Sequence, residues 1–458
     1  MNVELINKYM TIFKSSNQAA FRSIRLLTFL ILNTAFLIGQ TPTPAPKQTK
    51  SILITGLVVH IGNGQVIENG VIGFKDGKIA LVADAATIKT GAGAYDTTFA
   101  LTGAHAYPAF IAPNTTLGIT EVDAVRATND FSEVGNYNPH VRSLIAYNAE
   151  GKVITTVRTN GVLYAQITPR RGTIPGTSSI VGLDAWNWED AALKTDDGVH
   201  LNFPKVTFRA QYNVEGPDVP TTGNTKYDEQ INELRKFFAD AKAYCQQTAP
   251  EEKNLRYEAM RGVFAGAQNL YIHADFVKDI VASVNFVKQF EIKKPVLVGG
   301  SDSWKVTKLL KQNNIPVMVT RLHSLPDADF DDVDLPYKLA HLLQKDSVQF
   351  CLQNAGDQEG QNARNIPFLA GTARAYGLSN EEAVASVTGN AAKILGVDRE
   401  IGTLEVGKNA SFFISTGDAL DMMTNNVILA YLDGKKLMLT NTQQELYKRY
   451  CNKYGIKP

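Results

Sequence analysis

Leu270-Tyr271-Ile272-His273, then the segment from Phe276 to Phe290, then Val296-Leu297-Val298 read as strand, helix, strand. In the middle segment Ile280, Val284 and Val287 recur at helical spacing, and the flanking runs are short and apolar. Two buried strands joined by a helix form the unit of a parallel sheet, because a parallel return needs a crossover of about a dozen residues.

The same alternation extends outward in both directions. Further strand candidates are Ala109–Ala112, Val162–Ile167, Ser179–Leu183, Val199–Leu201, Val317–Thr320 and Val348–Leu352. Asp302 to Gln312 places Val306, Leu309 and Leu310 on one helical face, and Trp188 to Lys194 also reads as helical. Asp228 to Tyr244, with Ile231, Leu234, Phe238 and Ala241, is an inserted amphipathic helix. Eight strands with interleaved helices predict an α/β fold, a (β/α)8 TIM-like barrel over residues 106–399, with any chemistry at the C-terminal strand ends.

The chain's two ends are β-rich. Ile52-Leu53-Ile54, Leu57-Val58-Val59, Val71-Ile72-Gly73-Phe74 and Lys78–Val82 are separated by Gly62-Asn63-Gly64, Asn69-Gly70 and Asp76-Gly77 turns. A meander of this kind needs a second layer. Phe412-Phe413-Ile414 and Val427–Leu432 supply one, so segments 51–105 and 400–440 are expected to close a small β-sandwich, with 441–458 as a helical tail.

Arg22 and Arg25 precede an apolar run from Leu26 to Ile38, with small Gly39 after it. This pattern fits a signal peptide over 1–39, and about 14 apolar-biased residues fall short of the roughly 20 that span a bilayer. Export to a periplasmic or extracellular site is expected, with a proline-bearing linker over 40–50 and no stable membrane span after cleavage. The balance of 46 basic and 45 acidic residues gives no reason to expect a nucleic-acid partner. Cys245, Cys351 and Cys451 match no zinc or disulfide spacing and read as packing residues.

Three motifs carry a resemblance. Tyr107-Pro108-Ala109-Phe110-Ile111-Ala112-Pro113-Asn114-Thr115-Thr116 leads into the first barrel strand. Gly377-Leu378-Ser379-x-Glu381-Glu382-Ala383 runs to Thr388-x-Asn390-x-Ala392-x-x-Leu395-Gly396, and Ile401-Gly402-Thr403-Leu404-Glu405-Val406-Gly407-Lys408 follows. Together with the N-terminal meander, these resemble the amidohydrolase superfamily, especially imidazolonepropionase-like members, over about residues 51 to 440. The resemblance implies a small-molecule substrate, hydrolysis of C–N bonds other than peptide bonds in a cyclic amide or small peptide-like molecule, and one or two divalent metals, zinc first among them.

Carried over position by position, little of the metal site survives. The family's His-x-His slots on the first strand hold Asn114 and Thr116, whose neutral oxygens are poor zinc ligands. His273 fits the fifth-strand slot, the sixth strand ends in Gly299-Gly300-Ser301-Asp302 without histidine, and Asp357 stands near the expected eighth-strand acid. His323, past the seventh strand, joins His273 and Asp357 as a relocated or vestigial metal set, with Asp357 as a candidate catalytic acid–base. No lysine is placed on the fourth strand, and His60, His105, His140, His200 and His341 read as structural.

Asn114, Thr116, Asp302 and Arg364 are candidate substrate-pocket residues. The loop Arg170 to Ser179 is rich in glycine and hydroxyls and suits an anion, while Asp184 to Asp190 places Trp186 and Trp188 near the barrel mouth. Two functions follow from these readings. One is a metal-dependent hydrolase. The other is a non-catalytic relative without metal, which binds a ligand or forms a homo- or hetero-oligomer with an active family member.

Overall fold

The computed structural model describes residues 44–88, 93–208, 222–328, 330–356 and 358–457. The signal-peptide reading of residues 1–39 and the role expected of Asp357 therefore lie outside the described residues.

The eight expected barrel strands form one sheet in the order β6 (Phe110–Thr115), β7 (Val162–Ile167), β8 (Thr177–Gly182), β9 (Ala192–Asn202), β12 (Asn269–Ala274), β13 (Pro295–Gly299), β14 (Val317–Val319) and β15 (Phe350–Leu352). Between β9 and β12 lies a minor hairpin, β10 (Thr207–Phe208) and β11 (Thr222–Gly223). The expected barrel is thus the observed architecture, with one departure. β8 runs antiparallel to both β7 and β9, whereas every other neighbouring pair is parallel.

The reversal has a local cause. Between Ile167 and Thr177 there is no helical period to build a crossover. Instead Arg171 and Gly172 both take positive φ, 65° and 75°, and turn the chain straight back. As a result the C-terminal end of β8 lies at the N-terminal end of the barrel, where the Leu183 N–H donates to the Leu163 carbonyl. Trp186 and Trp188 follow it there, which corrects their expected place at the mouth. The helical reading of 188–194 also fails beyond its first turn. Asn187 caps the helix Trp188–Ala191, and Lys194 is already in β9.

Helices pack outside the ring. The inserted helix Tyr227–Cys245 buries Ile231, Leu234, Phe238 and Ala241. The Phe238 ring meets Phe286 at 4.8 Å and Phe290 at 5.3 Å on the helix Val277–Phe290. A fully buried Phe of this kind contributes about 1.5–3 kcal/mol through removal of its surface from water.

The second sheet interleaves both ends of the chain: β18 (Lys435–Lys436), β17 (Val427–Leu432), β16 (Phe412–Ser415), β5 (His105–Pro108), β1 (Ile52–His60), β2 (Val66–Lys75) and β3 (Lys78–Asp84), with β4 (Thr97–Ala100) on β1. Two strands separate β2 from β16, yet the Phe74 ring stands 5.2 Å from Phe412 and 4.8 Å from Tyr431. The sheet therefore folds over on itself around Ile54, Leu57, Ile72, Phe74, Phe412 and Ile414. His60 and His105 belong to this region: a His60–His105 bond of 3.1 Å and a His60–Glu381 pair of 2.7 Å give both a structural role. β5 runs directly into β6, so this sheet fixes where the first barrel strand begins.

Candidate functional site

The barrel interior is chemically split. On β12, Tyr271 and His273 are two residues apart and share a face, and His273 pairs in register with Val298, Val298 with Met318, and Met318 with Cys351. That side is apolar. The opposite side, built by β7, β8 and β9, holds Gln166, Ser178, Asp197 and His200, all buried. Gly198 makes room for the Tyr271 ring, since a Cβ there would stand 2.4 Å from Tyr271 Cε2.

Hydrogen-bond direction in this cluster is set from the backbone inward. The Asn114 N–H donates to Gln166 Oε1 at 3.0 Å, which turns Gln166 Nε2 toward Asp197 Oδ2 at 3.0 Å and Ser178 Oγ at 3.2 Å. Asn269 Nδ2 donates to the Tyr271 hydroxyl at 2.8 Å, leaving the tyrosine proton for Asp197 Oδ2. Ser178 Oγ donates to Asp197 Oδ1 at 2.6 Å. One carboxylate thus receives three donors, which is how a buried anion is satisfied. Burial raises the Asp197 pKa, opposed by the bonds from Ser178, Tyr271 and Gln166.

The histidines continue the chain. His200 Nε2 lies 2.9 Å from Ser178 Oγ, His200 Nδ1 lies 2.9 Å from His273 Nε2, and the His200 ring stacks on Tyr271 at 4.6 Å. Burial depresses both imidazoles, helped for His200 by the facing His273 and for both by the Arg170 charge. His200 falls well below its ordinary value, and His273 to about 3. Both are neutral at physiological pH.

Arg170 closes the top of the cluster. Its Nε and Nη2 donate to the two oxygens of Glu359, each at 3.0 Å, and Nη2 also donates to the Asn114 carbonyl at 2.9 Å. Asn114 has φ 52°, the left-handed region, and this conformation accompanies the carbonyl's bond to the guanidinium. Its Nδ2 donates to Gln353 Oε1 at 3.1 Å, an oxygen already committed as acceptor by the Ala355 N–H at 3.0 Å. Asn114 Oδ1 is consequently left buried without a partner.

The sequence-predicted residues separate on this frame. His273 and Asn114 lie at the interior, and Thr116 is buried beside Asn114. His323 is exposed, bonded through Nε2 to Thr372 Oγ1 at 2.7 Å on the outer helix Ile366–Ala375 and edge-on to Tyr337. Asp302 accepts from the Val277 N–H at 3.3 Å and pairs with Lys305 at 2.7 Å, a helix-start role. Arg364 is exposed, and its carbonyl accepts from Asn160 Nδ2. Lys194 reaches the fourth strand but donates to the Leu395 carbonyl at 2.9 Å. The loop arginine expected to meet an anion is taken by Glu359.

His200, Ser178, Asp197, Gln166 and Glu359 were not legible as site residues. For the first four the one signal was a polar residue inside a strand; Glu359, at the start of the helix Glu359–Asn362, had none.

A divalent metal does not fit the described donors. Among the described residues no group of three or more His, Cys, Asp or Glu side chains is placed to hold an ion. The two interior imidazoles bond each other, Asp197 is saturated by protein donors, and the Arg170 charge acts on both rings against further positive charge.

Comparison with known proteins agrees with the fold. The amidohydrolase family profile matches residues 232–437. An imidazolonepropionase of Symbiobacterium thermophilum is 28% identical over 144 residues, 31% of this chain and 32% of the relative, so the match spans about a third of that protein. An amidohydrolase from Thermotoga maritima superposes with TM-score 0.70 at 23% identity, over 84% of this chain and 99% of that one. A zinc-bound adenosine deaminase from Xanthomonas campestris gives 0.52 at 14% identity, over 90% and 99%. Its motifs resemble the amidohydrolase superfamily, that family's profile matches a little under half of the chain, and its barrel with an appended folded sheet is the fold of the solved Thermotoga amidohydrolase.

Proposed function

We propose that this protein is a member of the superfamily that has lost metal-dependent hydrolysis and uses its barrel to bind a small polar molecule. Family members generally use divalent metals. The observation that carries the reading is the closed bonding of the interior: Arg170 is held by Glu359 and the Asn114 carbonyl, His200 and His273 bond each other, and the Arg170 charge further disfavours positive charge on both rings. A divalent ion there would find two imidazoles bonded to each other and, among the described residues, no third ligand beside them, a poor site for zinc.

The remaining interior groups do not replace a metal-bound hydroxide. Ser178 is fully buried and gives its proton to Asp197, while His200 Nε2 faces the same Oγ as donor. In a nucleophilic serine the imidazole accepts that proton instead, so the polarity is reversed. His273, with its pKa near 3, is too weak a base to activate water at neutral pH.

The competing reading is the hydrolysis of C–N bonds in cyclic amides or small peptide-like substrates that family membership suggests. Elemental analysis of the purified full chain, paired with turnover of cyclic amides and dipeptides with and without chelator, separates the two. We expect metal far below one ion per chain and no chelator-sensitive turnover. Stoichiometric zinc that disappears in His273→Ala, with turnover restored by added metal, would overturn the proposal.

A further inference from the structure

The direction of the interior hydrogen bonds settles which nitrogen of His273 carries a proton. Ser178 spends its proton on Asp197 Oδ1, so its Oγ can only accept from His200 Nε2, which must then be protonated. A neutral His200 protonated on Nε2 has a bare Nδ1, which accepts from His273 Nε2 at 2.9 Å. His273 is therefore also protonated on Nε2 and presents Nδ1 as a lone pair. His273 is only partly buried, and among the described residues nothing bonds that Nδ1. Asn114 Oδ1 is a second interior acceptor without a partner, its orientation fixed by Gln353 and the Ala355 N–H.

We infer that a relay running from Asp197 through Ser178 and His200 locks His273 as a hydrogen-bond acceptor, and that the barrel's ligand is a neutral N–H or O–H donor. The inference rests on the binding reading proposed above and adds the ligand's chemical class. The Arg170 charge, which acts on His273, disfavours an ammonium or other cation, and a carboxylate has no hydrogen to offer either acceptor. A carboxamide NH2 has a hydrogen for each of them, and an alcohol has one to give. Ser178 and His200 are positioning residues here, because they act on the ligand only through His273.

Long-range proton–nitrogen correlation spectra of full-length protein labelled with ¹⁵N-histidine read the tautomers directly. The native chain should show His200 and His273 protonated on Nε2 at neutral pH. Ser178→Ala removes the acceptor of His200 Nε2–H, so both rings should move toward the Nδ1-protonated form. A native His273 protonated on Nδ1, or a folded Ser178→Ala whose His273 does not change, overturns the relay. If the variant fails to fold, the native spectrum alone decides.

Acetamide and acetate, added at equal concentration, test the ligand class. Acetamide should shift His273 Nδ1 while acetate leaves it unmoved. A response to acetate alone, or to neither, sinks the donor assignment. Metal content measured on the same sample keeps the two proposals apart. Stoichiometric metal with Nε2-protonated rings defeats the metal-free reading but leaves the relay standing, and the converse result does the reverse.

Discussion

Asn114 and Arg170 show how a single position changes a barrel's chemistry. With a neutral amide where a metal ligand is expected, the nearby guanidinium bonds the strand-end carbonyl and Glu359 balances its charge. Glu359→Gln keeps the shape but leaves Arg170 without its counter-charge. Loss of one partner of a largely buried pair should cost about 2–3 kcal/mol, at the low end because Arg170 keeps some solvent. A lower urea midpoint with unchanged slope would register it. The neutral histidines make a second prediction. Both folded-state values are depressed, so the unfolded chain takes up protons that the folded chain refuses as pH falls from about 6.5 toward 3. Stability should be full above about pH 6.5 and decline with acid, by at most about 1.4 kcal/mol per pH unit for each ring. Urea midpoints between pH 7 and 4.5 check this, and His200→Gln should flatten the slope. The sequence placed Asn114 and Thr116 in the slots where the resemblance implies histidines. It did not expose the compensation, since Arg170 and Glu359 are 189 residues apart and meet only after the barrel closes.

Among the elements, helices and parallel strands were legible because their apolar periods are long and regular. The inserted helix, expected over 228–244, spans Tyr227–Cys245. The reversed β8 was not legible: a buried strand of six residues reads the same in either direction, and only its connections fix its sense. Lys194 was misread because the helix-starting Asn187 precedes it, although the helix lasts four residues. Inside β9, Asp196 takes φ 50° and the register with β8 shifts, a bulge that brings Asp197 to Ser178 and Tyr271. Gly198 follows at once, and a side chain there has nowhere to go. Gly198→Val would press on Tyr271 and on the Asn269 carbonyl, 2.7 Å from the new Cβ. Overpacking of this kind costs about 1–3 kcal/mol. We expect a lower thermal midpoint and faster solvent exchange of the His200 ring proton than in the native chain.

At the scale of the whole molecule, the first and last segments of the chain share one folded sheet, and the sequence announced this through matching turn-bounded strands at both ends. None of the described helices is long and apolar enough to cross a membrane. For the leader we propose export with cleavage after Gly39, and N-terminal sequencing of secreted protein that begins at Gln40 checks it. An intact leader on cell-associated protein would count against it.

The hairpin geometry around β8 also bears on how the chain acquires its shape. β7, β8 and β9 pair with their immediate sequence neighbours, so this corner can assemble from contacts of short sequence separation. The remaining parallel pairs must each close a longer loop first, with its entropic cost. The polar corner is thus poised to form early and to serve as the template on which the apolar half of the ring is laid down.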